Sequence, residues 1–318
     1  MNIQPTSATR RGFTLMELMV AMAITTIIVT VLVSITSIAL DTWNRSRSEL
    51  RASRQAKGMI DSMARDFEAL VTRRGNTNEW LSAITESGTI GDKLESTNAS
   101  KLIFFTSATD RYNGELAGKD QIAGNGDDPA GGDVSCVAYQ LEYKDPIGSS
   151  GSGFETFVLN RLLVNPDETF NKLLGKTDLV AELPKCTVKL EDPANFVCEN
   201  IYQFTITFHV QVSQSSSGTS PVTTIVNVPV KLGKANSGQT TSSFKIKGTG
   251  IESGYAGGTV SPDELKGGRI TAMEISATVI SDFGVDQLKR RNFSGSQQAE
   301  FLAKNSYQYT KLVQIPTM

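Results

Sequence analysis

The chain is poor in the residues on which most enzymes and metal proteins rely. It holds one histidine, His209, among 318 residues, which leaves no histidine pair for a His-rich metal site or a two-histidine proton relay. Three cysteines are too few for a disulfide scaffold. Positive charge is not in excess either. The 31 basic and 33 acidic residues give a formal net charge of −2, so electrostatics make no case for nucleic acid as a partner. No proline occurs between Pro5 and Pro129, so that residue interrupts no helix in between. What the chain has is apolar residue, 39% of the total against 20% charged. That balance excludes a disordered or coiled-coil protein and suffices for the core of one large or two ordinary domains.

The apolar residues are unevenly placed. Residues 1–12 read MNIQPTSATRRG, and residues 13–40 then carry one charge, Glu17. Such a run makes a helix of roughly 42 Å, longer than the ~30 Å hydrocarbon core of a bilayer. Arg10 and Arg11 resist translocation, which keeps the amino terminus cytoplasmic and puts everything beyond Leu40 across the membrane. A secretory signal peptide has an apolar region of about 7–15 residues followed by a small-residue cleavage site. Here the run is about twice that length, and Ala21-Met22-Ala23 lies inside it. Thr9-Arg10-Arg11-Gly12-Phe13 is superficially similar to a twin-arginine signal, but that too wants a shorter region and a cleavage site. A plain anchor explains the length and leaves Glu17 unexplained, at a cost of about 2.5–3.5 kcal/mol for a buried charge in lipid.

Gly12-Phe13-Thr14-Leu15-Met16-Glu17 resembles the prepilin cleavage motif of type IV pilins and type II secretion pseudopilins. The resemblance implies cleavage between Gly12 and Phe13 by a prepilin peptidase, N-methylation of Phe13, and a role for Glu17 in filament assembly. Cleavage creates a cation at Phe13 that lipid tolerates as poorly as the carboxylate. Glu17 lies four residues away in its own helix and can also meet the amino terminus of a neighbouring subunit. A paired charge in an apolar medium is tolerated where an unpaired one is penalised, so the pair sets the register of stacked helices. The bland alternative is a shallow Glu17 snorkelling to the headgroups of an ordinary anchor.

Beyond the anchor the sequence predicts a helix continuing through residues 41–73. Its 45–57 stretch is basic, and Ile60, Met63, Phe67, Leu70 and Val71 form one apolar face. The whole helix, 13–73, would span about 90 Å, with Gly75-Asn76 as its stop. Residues 74–318 read as a β-rich domain, with strands expected at 101–106, 134–143, 154–164, 201–212, 221–232, 243–247 and 269–280. A short helix follows at 295–304, then a strand at 307–315. Tracts 145–153 and 213–218 read as hairpin tips and 248–268 as a long surface excursion. The expected fold class is therefore α+β: a long N-terminal transmembrane and amphipathic helix packed on antiparallel sheet. The strand order, with Leu102–Thr106, Val137–Leu141 and Val158–Arg161 as its clearest segments, is most similar to J-type minor pseudopilins. Insertions at 107–133, 165–200 and 233–268 depart from that pattern.

The resemblance implies a subunit that binds and moves and does not catalyse. It would assemble into a periplasmic pseudopilus or type IV pilus, at the tip or in priming, and support type II-like secretion. The expected partners are other pilins or pseudopilins, the prepilin peptidase, inner-membrane lipid and the secretion assembly platform. Location follows: a single-pass inner-membrane protein with a periplasmic C-terminal domain, filament-associated after assembly. The alternative function is an anchored adhesin or binding domain that uses the leader only for export. Cys186 and Cys198 bracket eleven residues including Pro193 and are the candidate disulfide in an oxidising compartment, although three cysteines leave three single bridges open. No cofactor or metal is expected. Calcium remains an alternative reading of the acidic 107–133 stretch, whose GNGDDPAGGD does not follow EF-hand spacing. His209 alternates with apolar neighbours and reads as structural.

Overall fold

In the computed structural model the described residues are 14–90, 94–107, 132–146, 155–215, 223–233, 240–254 and 260–315. Residues 147–153 and 216–218 of the expected hairpin tips, most of the acidic 107–133 stretch, and Gly12 and Phe13 lie outside them. The chain divides into two compact units, Met1–Glu49 and Leu50–Met318. One helix, α1 (Leu15–Glu68), contributes to both.

In the first unit residues 14–47 are exposed throughout. The helix is long and apolar enough to cross a membrane, and none of its most apolar stretch is buried in protein. Thr25, Thr26, Thr30 and Thr36 each turn the hydroxyl back onto the carbonyl four residues earlier, at 2.7–2.8 Å. The polar side chains are thereby satisfied within the helix and ask nothing of lipid.

In the second unit α1 becomes amphipathic. Ala52, Ala56, Met59, Ile60, Met63 and Phe67 are buried at helical spacing. The helix ends at Glu68, short of the expected Arg73, because Leu70 and Val71 serve a strand instead. Leu70 bridges Thr106, the Val71 N–H donates to the Phe105 carbonyl at 2.8 Å, and the Thr106 hydroxyl donates to the Asp66 carbonyl at 2.9 Å. These bonds satisfy carbonyls and amides that the helix end leaves over.

The β structure comprises β1 (Glu79–Ile90), β2 (Leu94–Thr106), β3 (Ser135–Lys144), β4 (Thr156–Leu163), β5 (Phe196–Glu199), β6 (Ile201–Ser215), β7 (Thr223–Leu232), β8 (Thr240–Thr241), β9 (Ser243–Lys247), β10 (Gly250–Ser253), β11 (Arg269–Ile280) and β12 (Ser306–Gln314). Helices α2 (Asp282–Arg290) and α3 (Gly295–Asn305) join β11 to β12. One sheet has seven strands in the order β10-β9-β1-β2-β3-β4-β5, and the other has five, β12-β11-β6-β7-β8. Pairing is antiparallel except between β7 and β8. The architecture is the α+β one expected from the sequence.

A single core joins α1 to the inner faces of both sheets. Phe67 stacks on Phe104 of β2 with centroids 4.0 Å apart, and Phe208 of β6 stacks on Phe244 of β9 at 4.2 Å. The five-stranded sheet buries one face, as the alternation of Phe204, Ile206, Phe208 and Val210 requires. The seven-stranded sheet is covered on both. Its second face carries Trp80, Ile103, Phe105, Cys136 and Leu162, and the 165–200 insertion covers them with Leu173, Leu179, Leu183, Cys186 and Leu190. Glu79 ties that cover down: Oε2 accepts the Leu179 N–H at 2.6 Å and Oε1 meets Lys245 Nζ at 2.8 Å.

This layering corrects the expected disulfide. Cys198 lies with Leu159 in the central core, whereas Cys186 lies in the cover on the opposite face of the sheet, so the eleven residues between them carry the chain around its edge. Cys136, Cys186 and Cys198 are all free and buried. Burial raises each thiol, Cys198 to about 12 and Cys136 further still. Accordingly, all three should resist maleimide in the folded protein and take three labels after denaturation without reductant, read by intact mass; a chain taking one label would contain a bridge.

Candidate functional site

The site at the start of α1 is built from two residues. Thr14 stands before the first helical residue, where amide groups lack intrahelical acceptors. Its N–H donates to Glu17 Oε2 at 2.9 Å, and its hydroxyl donates to the same oxygen at 3.0 Å. The Glu17 N–H in turn comes within 3.2 Å of Thr14 Oγ1. Thr14-x-x-Glu17 is thus a reciprocal capping box, and the negative group also faces the positive end of the helix dipole. The Thr-x-x-Glu spacing is itself a capping signature, distinct from both the paired charge and the snorkelling carboxylate expected from the sequence. In the structure the carboxylate is already held on the first turn, next to the backbone nitrogen of the residue that follows Phe13.

A second polar cluster holds α1 to the domain. Asp66 is 1% exposed. Arg161 of β4 grips it with two bonds, Nε to Oδ2 and Nη2 to Oδ1, both 2.8 Å. The Tyr139 hydroxyl of β3 donates to Asp66 Oδ2 at 2.5 Å and accepts from Arg161 Nε at 2.9 Å. Forked geometry of this kind fixes direction as well as charge. Two further pairs hold the same helix, Arg51 with the largely buried Glu199 at 2.7 Å and Lys311 with the exposed Asp61 at 2.7 Å. The exposed pair is worth about 0–1 kcal/mol. The cluster is an anchor: every charge is matched and no nucleophile or poised base stands in it.

His209 lies on β6 beside Pro229 of β7 and Ala272 of β11, with no acid or nucleophile opposite it in register. Cys186 and Cys198 are apart, as described.

Comparison with known proteins bears on the amino-terminal site alone. Residues 7–33 match the family model of the prokaryotic N-terminal methylation motif. No curated protein and no solved structure gives a significant match to the chain. The matched segment contains Gly12, Phe13, Thr14 and Glu17 together with the apolar run as far as Val33. It implies processing by a prepilin peptidase and assembly with other pilins. With the long apolar helix behind it, the motif supports a membrane-anchored, pilin-like subunit of the kind that builds pili or pseudopili.

Proposed function

We propose that the chain is a minor pilin-like subunit, cut between Gly12 and Phe13, methylated at Phe13, and assembled through α1 into a periplasmic pseudopilus or type IV pilus. The observation that carries this reading is the capping box. It fixes an acidic group one residue from the position where cleavage would create an ammonium, at the head of a helix whose apolar side chains are exposed for packing. The carboxylate can meet its own amino terminus or exchange to that of the subunit below without moving far. A place at the filament tip, in the manner of J-type minor pseudopilins, is favoured by the bulk of the Leu50–Met318 unit, which is least crowded at an end. There it would prime growth on the secretion assembly platform and support type II-like secretion. The role is mechanical and calls on no catalytic group.

Shearing filaments from cells and probing them for this chain tests the assignment. The chain should co-sediment with other pilin-like subunits at a small fraction of their amount. Filaments that lack it, with all of the chain left as monomer in the membrane, would favour an anchored adhesin or binding domain.

A further inference from the structure

A cavity of about 350 Å³ opens in the Leu50–Met318 unit where the segment leaving α1 passes the ends of both sheets. Its apolar lining includes Leu70, Ile251 and Ile315, all buried. Its charged lining is of one sign: Arg73, Arg74, Lys247 and Arg269, with no acidic residue among the described residues that form it. Such a wall is conspicuous in a chain whose net charge is −2.

Arg73 and Arg74 are exposed, and Lys247 already holds Glu252 at 2.7 Å. Arg269 differs. Its Nε is buried and has no hydrogen-bond partner among the described residues. A buried guanidinium donor without an acceptor is costly, and an acceptor arriving from outside removes that cost. The walls are fixed by close backbone approach. Gly250 adopts φ +131°, where a Cβ would fall 2.2 Å from the Lys266 carbonyl oxygen, and a Cβ on Gly268 would fall 2.6 Å from Val210. Neither position accepts a side chain without displacing a neighbour.

We infer that this cavity is a docking site for an extended, acidic peptide segment of a partner protein, with an aliphatic side chain on the apolar lining and carboxylates on Arg269 and the Arg73–Arg74 rim. The cations call for carboxylates and the apolar wall for an aliphatic side chain, a pairing that an acidic peptide supplies. A simple inorganic anion would satisfy the cations and leave the apolar wall empty. The inference is independent of the amino-terminal motif and of filament assembly.

The test uses the full chain in detergent and a fluorescein-labelled hexapeptide of alternating glutamate and leucine, with the lysine–leucine counterpart as control. Anisotropy should show saturable binding of the acidic peptide only. Arg269→Gln should weaken it about tenfold, the size expected for one charge-assisted bond. The double variant Arg73→Glu/Arg74→Glu, at exposed positions that leave folding intact, should weaken it at least as much. No saturable binding, equal binding of the lysine peptide, undiminished affinity in the double variant, or complete displacement by inorganic phosphate would each overturn the inference.

Discussion

Replacing Asp66 with alanine should destabilise the Leu50–Met318 unit by about 3–5 kcal/mol, the usual cost of leaving one member of a buried ion pair without its partner. The side chains of Asp66 and Arg161 are 1% and 12% exposed, so solvent cannot take over the lost contacts. The variant would leave the Arg161 guanidinium facing a void and the buried Tyr139 hydroxyl without its carboxylate acceptor. Replacing both charges, Asp66→Leu with Arg161→Leu, should recover most of the loss, because an apolar pair of suitable volume often matches a buried salt bridge. Urea unfolding of the detergent-solubilised chain, followed by the fluorescence of buried Trp80 over the constant signal of exposed Trp43, reads both effects. A loss below about 1 kcal/mol in Asp66→Ala would put this cluster in the class of surface pairs and remove it as the anchor of α1.

The second large effect concerns Glu17. Glutamine at this position can keep the capping box, since Gln serves at the third helical residue as Glu does. It cannot neutralise an ammonium. Glu17→Gln and Glu17→Ala should therefore both leave cleavage intact and both lose capture of other pilin-like subunits. An uncompensated charge in lipid costs about 2.5–3.5 kcal/mol, which corresponds to roughly a hundredfold in affinity. Quantitative co-purification from membranes measures this. Undiminished capture with Glu17→Gln and loss with Glu17→Ala would mean that the carboxylate acts as a helix cap alone.

Periodicity made the regular parts of this fold legible. The strands β9 and β11 coincide with their expected bounds, and α3 and β12 fall within a residue or two, because alternation and turn residues agree with burial there. Several features escaped, strands β1 (Glu79–Ile90) and β10 (Gly250–Ser253) among them, and three of the others did so for distinct reasons. Leu70 and Val71 continue the apolar spacing of α1, and only the pairing of the exit segment with β2 shows that they leave the helix. The 165–200 insertion carries its apolar residues at no single period, since its short helical turns each contribute one or two to the cover of the sheet. Helix α2 contains Gly284, which reads as a breaker but is needed for contact: a Cβ there would lie 2.6 Å from Ile280.

The candidate site divides in the same way. Gly12, Phe13 and Glu17 stand within six positions, so short-range spacing exposes them. Asp66 and Arg161 are 95 residues apart, and nothing local in either segment announces the other. Cys186 and Cys198 show the opposite error, for closeness in sequence suggested a bridge that the intervening sheet prevents.

The most direct test of the account is intact mass and N-terminal peptide analysis of the chain extracted from native membranes. The account predicts a mature protein that begins at Phe13 and carries one methyl group on its amino terminus. A chain that still begins at Met1, or one cut well beyond Phe13, would contradict it.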